Sequence, residues 1–448
     1  MHLLKWLYPG LNFKRWMLLF SAGVMLVSLG LALFFNYKYL DLIEEHIFRA
    51  VYLWQGSYDY WITTVVGLVM LVLGLGIMLF ATRFVIRSVI TAVLPDNSEN
   101  LVDIIYERRR LERGPNVTVI GGGHGLSVLL RGIKEATRNV TAIVTVADDG
   151  GSSGRLREEL GIIPPGDLRN CLVALADTEP LMEKLFQYRF ENGSELKGHS
   201  FGNLFIAAMS EVTGDMETAL QESSKVLAVK GRVLPASTEY LRLDAIMEDG
   251  TLVEGESHIP EAGKRIKRVR LFPERPAPVH SALEALEEAD AIILGPGSLY
   301  TSIMPNLLVD GVAETLRKSK AIKIYICNVM TQPGETDGYT ASMHAKAILD
   351  HAGRGTIDCM IVNDADIEED MLEEYAREGA YPVAVDEDAI NALGIGCVKA
   401  DIINVSDLVR HDPAKLRKIV MQVIYALGPG IGINDYYDIS KQIKRAKR

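Results

Sequence analysis

Two adjacent carboxylates, Asp148 and Asp149, follow an apolar run at Ala142–Ala147 and lead at once into Gly150, Gly151, Ser152, Ser153, Gly154 and Arg155. An acid carried to the end of a strand accepts hydrogen bonds from a sugar hydroxyl, as the ribose-binding acid of dinucleotide folds does. It also suits Mg²⁺, a hard cation that takes one or two carboxylates and completes its shell with phosphate oxygens and water. The Ser152 and Ser153 hydroxyls and the amides of this Gly-Ser loop donate to phosphate. Arg155, Arg157 and Arg169 lie near in sequence as anion clamps. A merely solvated acidic turn would need none of these cations. The stretch therefore points to a phosphorylated ligand, with Asp148 as a candidate Mg²⁺ ligand.

The same device recurs along the chain. Val117–Ile120 runs into Gly121, Gly122, Gly123, His124 and Gly125. Glycines let backbone amides approach an anion, and the helix that follows favours negative charge at its start. The loop is neither GxGxxG, since Leu126 fills the third position, nor a phosphate loop of the Lys-Ser/Thr type. Ala291–Leu294 runs into Gly295-Pro-Gly-Ser298, where Gly297 permits close approach and Ser298 is a candidate helix cap. Ile322–Cys327 runs into a loop with Asn328, Thr331, Gln332 and Glu335, and Cys359–Val362 into Asn363 and Asp364. Two further loops open helices. Asp167, beside Arg169, is either an N-cap or a pocket residue. In Gly198–Asn203, His199 is either an acid/base or a satisfied hydrogen bonder, and Asn203 is placed to orient a base or sugar.

Ligands bind beyond the carboxyl ends of the strands in an open parallel sheet. Polar loops at all these ends predict one anion-ready crevice for a nucleotide or other phosphorylated ligand. No paired nucleophile and base stands out, and no His/Cys cluster suggests a transition metal.

Strands alternating with helix-like stretches from Val117 onward predict an α/β fold with a parallel sheet. Gly231 to Phe272 breaks the alternation and reads as a small antiparallel insertion, with a hairpin over Leu241–Glu256 turning at Asp249-Gly250. The first hundred residues read differently. Trp16–Phe35 and Ile62–Ala81 are two charge-free runs of twenty residues each, long enough to span a hydrocarbon core of roughly 30 Å. Trp16, Tyr37, Trp54 and Trp61 stand near their ends as interfacial aromatics. Lys5, Lys14, Arg15, Arg83 and Arg87 flank the pair, whereas the connecting loop is acidic on balance. That asymmetry places both termini in the cytoplasm and the loop with Trp54 and Tyr58 outside. Neither run carries a charge that would mark an ion path, so the pair reads as an anchor. The expected organisation is a membrane anchor over 1–90, a linker over 91–115, a ligand-binding domain over 116–430 and a basic tail over 431–448. A net charge of −11 argues against a nucleic-acid binder. Arg108–Arg113 is a candidate contact for anionic lipid. Four scattered cysteines without a CxxC pair predict reduced thiols.

Taken together, Gly121–Leu126, Asp148–Arg155, Pro165–Arg169, Gly198–Asn203, Gly295–Ser302 and Asn328–Glu335 resemble the gluconeogenesis factor family, the YvcK-like proteins, which is related to the 2-phospho-L-lactate transferases. The resemblance covers roughly residues 116–430. It implies a Rossmann-like pocket for a nucleotide or UDP-sugar and a role in cell shape and envelope growth on gluconeogenic carbon. In the transferase branch, acids matching Asp148 or Asp149 support metal and substrate. A tyrosine and an arginine of the UDP-sugar site match Tyr375 and Arg410 by position, with Tyr381 a neighbouring candidate. Soluble members begin near the glycine loop, so the two membrane helices are an addition. The expectation is a membrane-tethered, cytoplasmic UDP-sugar-binding regulator acting through an envelope-synthesis or regulatory protein, with homo-oligomerisation open. The alternative is a transferase using a nucleotide-diphosphate-linked donor.

Overall fold

The computed structural model describes residues 13–34, 49, 52–53, 60–93, 101–177, 180–193, 195–405 and 409–427. Contacts divide the chain into two compact units, Met1–Arg108 and Arg109–Arg448.

The first unit is built on two long apolar helices, α1 (Phe13–Phe34) and α2 (Tyr60–Val93). Both are long and apolar enough to cross a membrane, and most of each apolar window is exposed. Their contact is made backbone to backbone. A Cβ on Gly30 would lie 2.8 Å from the Gly67 carbonyl oxygen, and one on Gly67 would lie 2.8 Å from that of Gly30. Small residues that let helices approach this closely are typical of packing in apolar surroundings. Trp16 stacks on Phe84 with ring centres 4.2 Å apart. Helix α2 runs past the expected end at Ala81 because neither Gly nor Pro interrupts it between Gly76 and Pro95. Tyr37, Trp54, Tyr58 and the basic tail lie outside the described residues.

The second unit begins within α3 (Leu101–Glu112). Its main sheet is made of β1 (Val117–Gly121), β2 (Val140–Val144) and β3 (Arg232–Pro235), then, after β4 (Arg242–Met247), β5 (Leu252–Glu254) and β6 (Ile266–Phe272), of β7 (Ala291–Leu294), β8 (Ile322–Ile326), β9 (Cys359–Asn363) and β10 (Gly396–Ala400). The order is β10-β9-β8-β7-β1-β2-β3, and every pairing is parallel. β1, β2 and β7 are buried at every position. They read as unbroken apolar runs because helices cover both faces of a parallel sheet. β4–β6 form the separate antiparallel sheet, and β11 (Ile403–Val405) pairs with β12 (Val409–His411).

The helices on the β1–β3 side are α4 (Gly123–Ile133), α5 (Gly151–Leu160), α6 (Gly166–Leu175), α7 (Pro180–Gln187), α8 (Phe201–Thr213) and α9 (Met216–Val226). Then come α10 (His258–Glu261), α11 (His280–Glu287), a π-helical turn (Leu299–Ile303), α12 (Met304–Leu307), α13 (Val312–Lys318), α14 (Ala341–Ala352), α15 (Glu369–Arg377), α16 (Glu387–Ala392) and α17 (Pro413–Leu427). The chain leaves β1 towards β2 on one side, while β7 flanks β1 on the other. The strand order therefore reverses at β1/β7, the position where an open sheet leaves a crevice.

Two local expectations change. The insertion starts later than Gly231, because Arg232–Pro235 is the edge strand β3, paired with β2. Four residues ending in proline carry a weak strand signal, and an edge is where a sheet tolerates proline. Val383–Val385 is not a sheet strand. It makes only isolated bridges, Met330 to Pro382 and Thr340 to Ala384.

Candidate functional site

The loops that leave β1, β2, β7 and β8 converge. Gly122 is extended, and a Cβ on it would stand 2.5 Å from Asp167 Oδ2 and 2.6 Å from Thr145 Cγ2. A side chain there would push α6 away from β1. Gly125 packs against the Pro296 carbonyl, and Gly297 against that of Gly122. The glycines thus serve loop-to-loop packing as well as amide access. The Gly123 amide donates to the Asp167 carboxylate. Asp167 is not the cap of α6, since Pro165 holds that position and no side-chain cap bond forms.

The Gly-Ser stretch is shorter as a loop than it reads, because α5 already begins at Gly151. Its first-turn amides have no intrahelical acceptor, which leaves Gly151, Ser152 and Ser153 at a helix start suited to an anion. Asp148 accepts from the Gly150 amide at 2.9 Å and from Ser153. Burial raises its carboxyl above the ordinary value, and these hydrogen bonds oppose the shift. Burial, then the Asp148 charge, pushes Asp167 up to about 6.

Asp149 turns elsewhere. Its two oxygens accept the Glu256 and Ser257 amides, each at 2.9 Å. Arg157, two residues beyond Arg155, also points inward. It donates to the Asp148 and Leu241 carbonyls and stacks 3.9 Å over Tyr240. Arg157 is therefore a packing clamp rather than an anion clamp. Arg155 stays nearer solvent, on the Lys197 carbonyl.

Behind α5, Ser152 Oγ meets His199 Nδ1 at 3.0 Å and accepts from Asn203 Nδ2 at 3.2 Å. All three residues are buried, and Asn203 Oδ1 has no partner among the described residues. Burial, then the Arg155 charge, lowers the His199 pKa. The shift favours the neutral ring, which is held by its hydrogen bond to Ser152. Arg169 is buried and donates to Ser200 Oγ at 2.5 Å and to Asn170 Oδ1 at 2.6 Å. Burial, then the Arg189 charge, lowers Arg169 to about 10.

His124 looks out over a cationic wall. Burial lowers its pKa, and the charges of Arg169, Arg410 and Arg189 lower it further. Arg410, on β12 and 286 residues along the chain, thus lies near enough for its charge to act on His124. Arg189, which also donates to the Gly198 carbonyl, was not legible as a site residue, because no strand-end loop carries it.

On the β7/β8 side, Ser298 makes no cap bond. It accepts from Gln332 Nε2 at 2.7 Å, and Gln332 Oε1 accepts from Asn328. Thr331 is engaged with the Tyr381 backbone through both its amide and its hydroxyl. A cavity of about 270 Å³ opens beside Asn328, Asn363, Leu372 and Val383. Tyr375 lies one turn beyond Leu372 on α15 and packs partly against the core.

Two further carboxyls were missed as site residues. Glu335 is buried, accepts from Thr301 at 3.3 Å and leaves Oε2 without a partner among the described residues. Burial pushes it up to about 7. Glu256, in the insertion, is pushed up to about 8 by burial and then by Asp148, Asp149, Glu335 and Asp167. Glu335 closes a motif that was read only for its amides and hydroxyls, and Glu256 follows an antiparallel strand, where no ligand loop is expected. Among the described residues, no three His, Cys, Asp or Glu side chains converge as metal ligands.

A family model for the 2-phospho-L-lactate transferase CofD matches residues 117–403, the stretch that carries the sheet, its loops and the insertion. The gluconeogenesis factor of Bacillus subtilis is 53% identical over 311 residues, covering 69% of this chain and 98% of that protein. The chain belongs to the CofD-like gluconeogenesis factor family. The gluconeogenesis factor of Halalkalibacterium halodurans is 56% identical over 308 residues, covering 68% of this chain and 96% of its own. A crystal structure of a Bacillus halodurans protein superposes with a TM-score of 0.68 at 55% identity, covering 69% of this chain and all of that one. A family member from Nostoc sp. PCC 7120 is 47% identical over 425 residues and covers 93% of this chain. So long a match extends well into the first unit.

Proposed function

We propose that this gluconeogenesis factor family member is a membrane-tethered receptor for a nucleotide diphosphate sugar, with a UDP-sugar as the favoured ligand. Through a protein partner it regulates envelope growth and cell shape on gluconeogenic carbon. The observation that carries the reading is the division of the crevice. Helix starts at Gly123 and Gly151, with His124, Arg169, Arg189 and Arg410, form a side suited to diphosphate. Asp148 and Asp167 stand at those helix starts themselves, and Glu256 and Glu335 add carboxyl groups suited to hydroxyl groups. A ligand that is anionic at one end and hydroxylated at the other matches both.

In this reading the amides of His124 and Gly125 and the Ser152–Ser153 turn receive the phosphates, and the arginines neutralise them. Asp148, one oxygen of which accepts the Gly150 amide, takes a ribose or sugar hydroxyl. It also fits Mg²⁺ as a single carboxylate ligand, with phosphate oxygens supplying the further positions. Asn328 borders the adjoining cavity and is joined through Gln332 to Ser298. The two apolar helices anchor the chain, and the flanking Lys and Arg residues place the receptor on the cytoplasmic face.

The CofD match favours a second reading, transfer of a phospholactyl-type group from a nucleotide-diphosphate carrier. Asp148→Asn separates the two. A receptor loses ligand affinity in proportion to its growth defect. A transferase loses turnover even when the ligand saturates the site, because only an interaction stronger in the transition state accelerates chemistry. Product formed by the wild type from such a donor, and lost in Asp148→Asn at saturation, sinks the receptor-only reading.

A further inference from the structure

We propose that the antiparallel insertion is a strap across the crevice, and that Glu256 on its underside contacts the sugar beyond the diphosphate. The inference rests on the nucleotide-sugar reading above and assigns one residue to the sugar end of the ligand.

The strap is fastened at both sides of the β1/β7 reversal. On the β2 side, Asp149 takes the amides of Glu256 and Ser257. The fit is close, since a Cβ on Gly255 would stand 2.7 Å from Asp149 Oδ2. On the β8 side, the Pro260 carbonyl of α10 abuts Gly334, where a Cβ would come within 2.1 Å of the oxygen. Glu256 lies at the first fastening, near carboxylates supplied by the β2 loop (Asp148, Asp149), the start of α6 (Asp167) and the β8 loop (Glu335).

Two observations indicate what this side accepts. Glu335 is 6% exposed, and its Oε2 is a buried acceptor without a partner among the described residues. A group bearing hydroxyl or amide hydrogens satisfies such an acceptor, which is costly to leave unmet. Glu256 adds a second carboxyl, whose oxygens accept from hydroxyl hydrogens. A phosphate beside Glu256 would face the charges of Asp148, Asp149, Glu335 and Asp167. The sugar therefore lies under the strap, and the diphosphate lies towards His124 and Arg410. Asp149 acts through Glu256 as a positioning residue.

The test is calorimetric titration of the full chain in detergent with UDP-N-acetylglucosamine and, separately, with UDP. Glu256→Ala should weaken the sugar nucleotide at least tenfold and UDP less than twofold, so UDP binding also reports that the variant is folded. Glu256→Gln, which keeps a donor and an acceptor, should restore most of the sugar affinity. Asp149→Ala should reproduce the selective loss, and the double variant should be no worse than Glu256→Ala alone. Equal losses for both probes, or no loss, overturn the inference. A wild type that binds UDP as tightly as the sugar nucleotide overturns it while leaving nucleotide binding intact. A wild type that binds neither probe overturns both readings.

Discussion

Ser152 Oγ stands 3.0 Å from His199 Nδ1 and also accepts from Asn203, so one hydroxyl joins the first turn of α5 to the loop that opens α8. Ser152→Ala removes the common partner and leaves two buried polar groups unmatched, at a cost of about 1–3 kcal/mol. Thermal unfolding should show a lower midpoint, and His199→Ala added to Ser152→Ala should cost less than the sum of the single changes. Strict additivity would mean that the three side chains do not act as a unit.

Arg410 and Arg169 both face His124 but should fail differently. Arg410 is exposed, so Arg410→Ala should leave the unfolding midpoint unchanged and weaken a UDP-sugar about tenfold, the loss of one charge-assisted contact of about 1.4 kcal/mol. Arg169 is buried and holds Ser200 and Asn170. Arg169→Ala should therefore lower stability and affinity together. An Arg410→Ala protein with unaltered affinity would remove β12 from the site.

The carboxyl groups around the crevice set a pH dependence of definite sign. Asp167, Glu335 and Glu256 have folded values of about 6, 7 and 8, each above the unfolded value. The folded chain therefore holds more protons than the unfolded one between roughly pH 4 and 8, and stability falls as pH rises through that window. Their contribution is complete below the unfolded values and is lost once pH passes the folded ones. The unfolding midpoint, measured without ligand, should drop between pH 5 and 8, and Glu335→Gln should flatten the fall up to about pH 7. A midpoint that climbs over this range would show that the carboxyls are solvated.

The five inner strands were legible because each is a largely apolar run leading into glycine or small polar residues, a pattern local to a few residues, whereas the edge strands β3 and β10 carry Arg232 and Lys399 and lack it. The same pattern brought out Gly122–Gly125, Asp148 and Asn328. It missed Arg189 and Glu256, which come from a loop between helices and from an antiparallel insertion. Only tertiary docking brings them to the crevice. Arg155 and Arg157 illustrate a different limit. Two residues apart on a helix, they face different ways, but the glycines at 150, 151 and 154 made that stretch read as loop. Asp149 looked equivalent to Asp148 until the 256–257 amides, more than a hundred residues away, were seen to occupy it.

The charge asymmetry around the two apolar helices gives a topology test. In intact cells, an impermeant thiol reagent should reach a cysteine introduced by Ser57→Cys and miss one introduced by Ser98→Cys. The reverse pattern would place the ligand-binding unit outside the cytoplasm.

Ligand binding by residues 115–448 tests the central claim most directly. A solved relative, 55% identical, matches 69% of this chain over its own whole length. Titrated with UDP-N-acetylglucosamine in a calorimeter, the fragment should bind one equivalent saturably, and Arg410→Ala should weaken that binding about tenfold. No measurable binding of UDP-N-acetylglucosamine or UDP by a folded fragment, with or without Mg²⁺, would contradict the account.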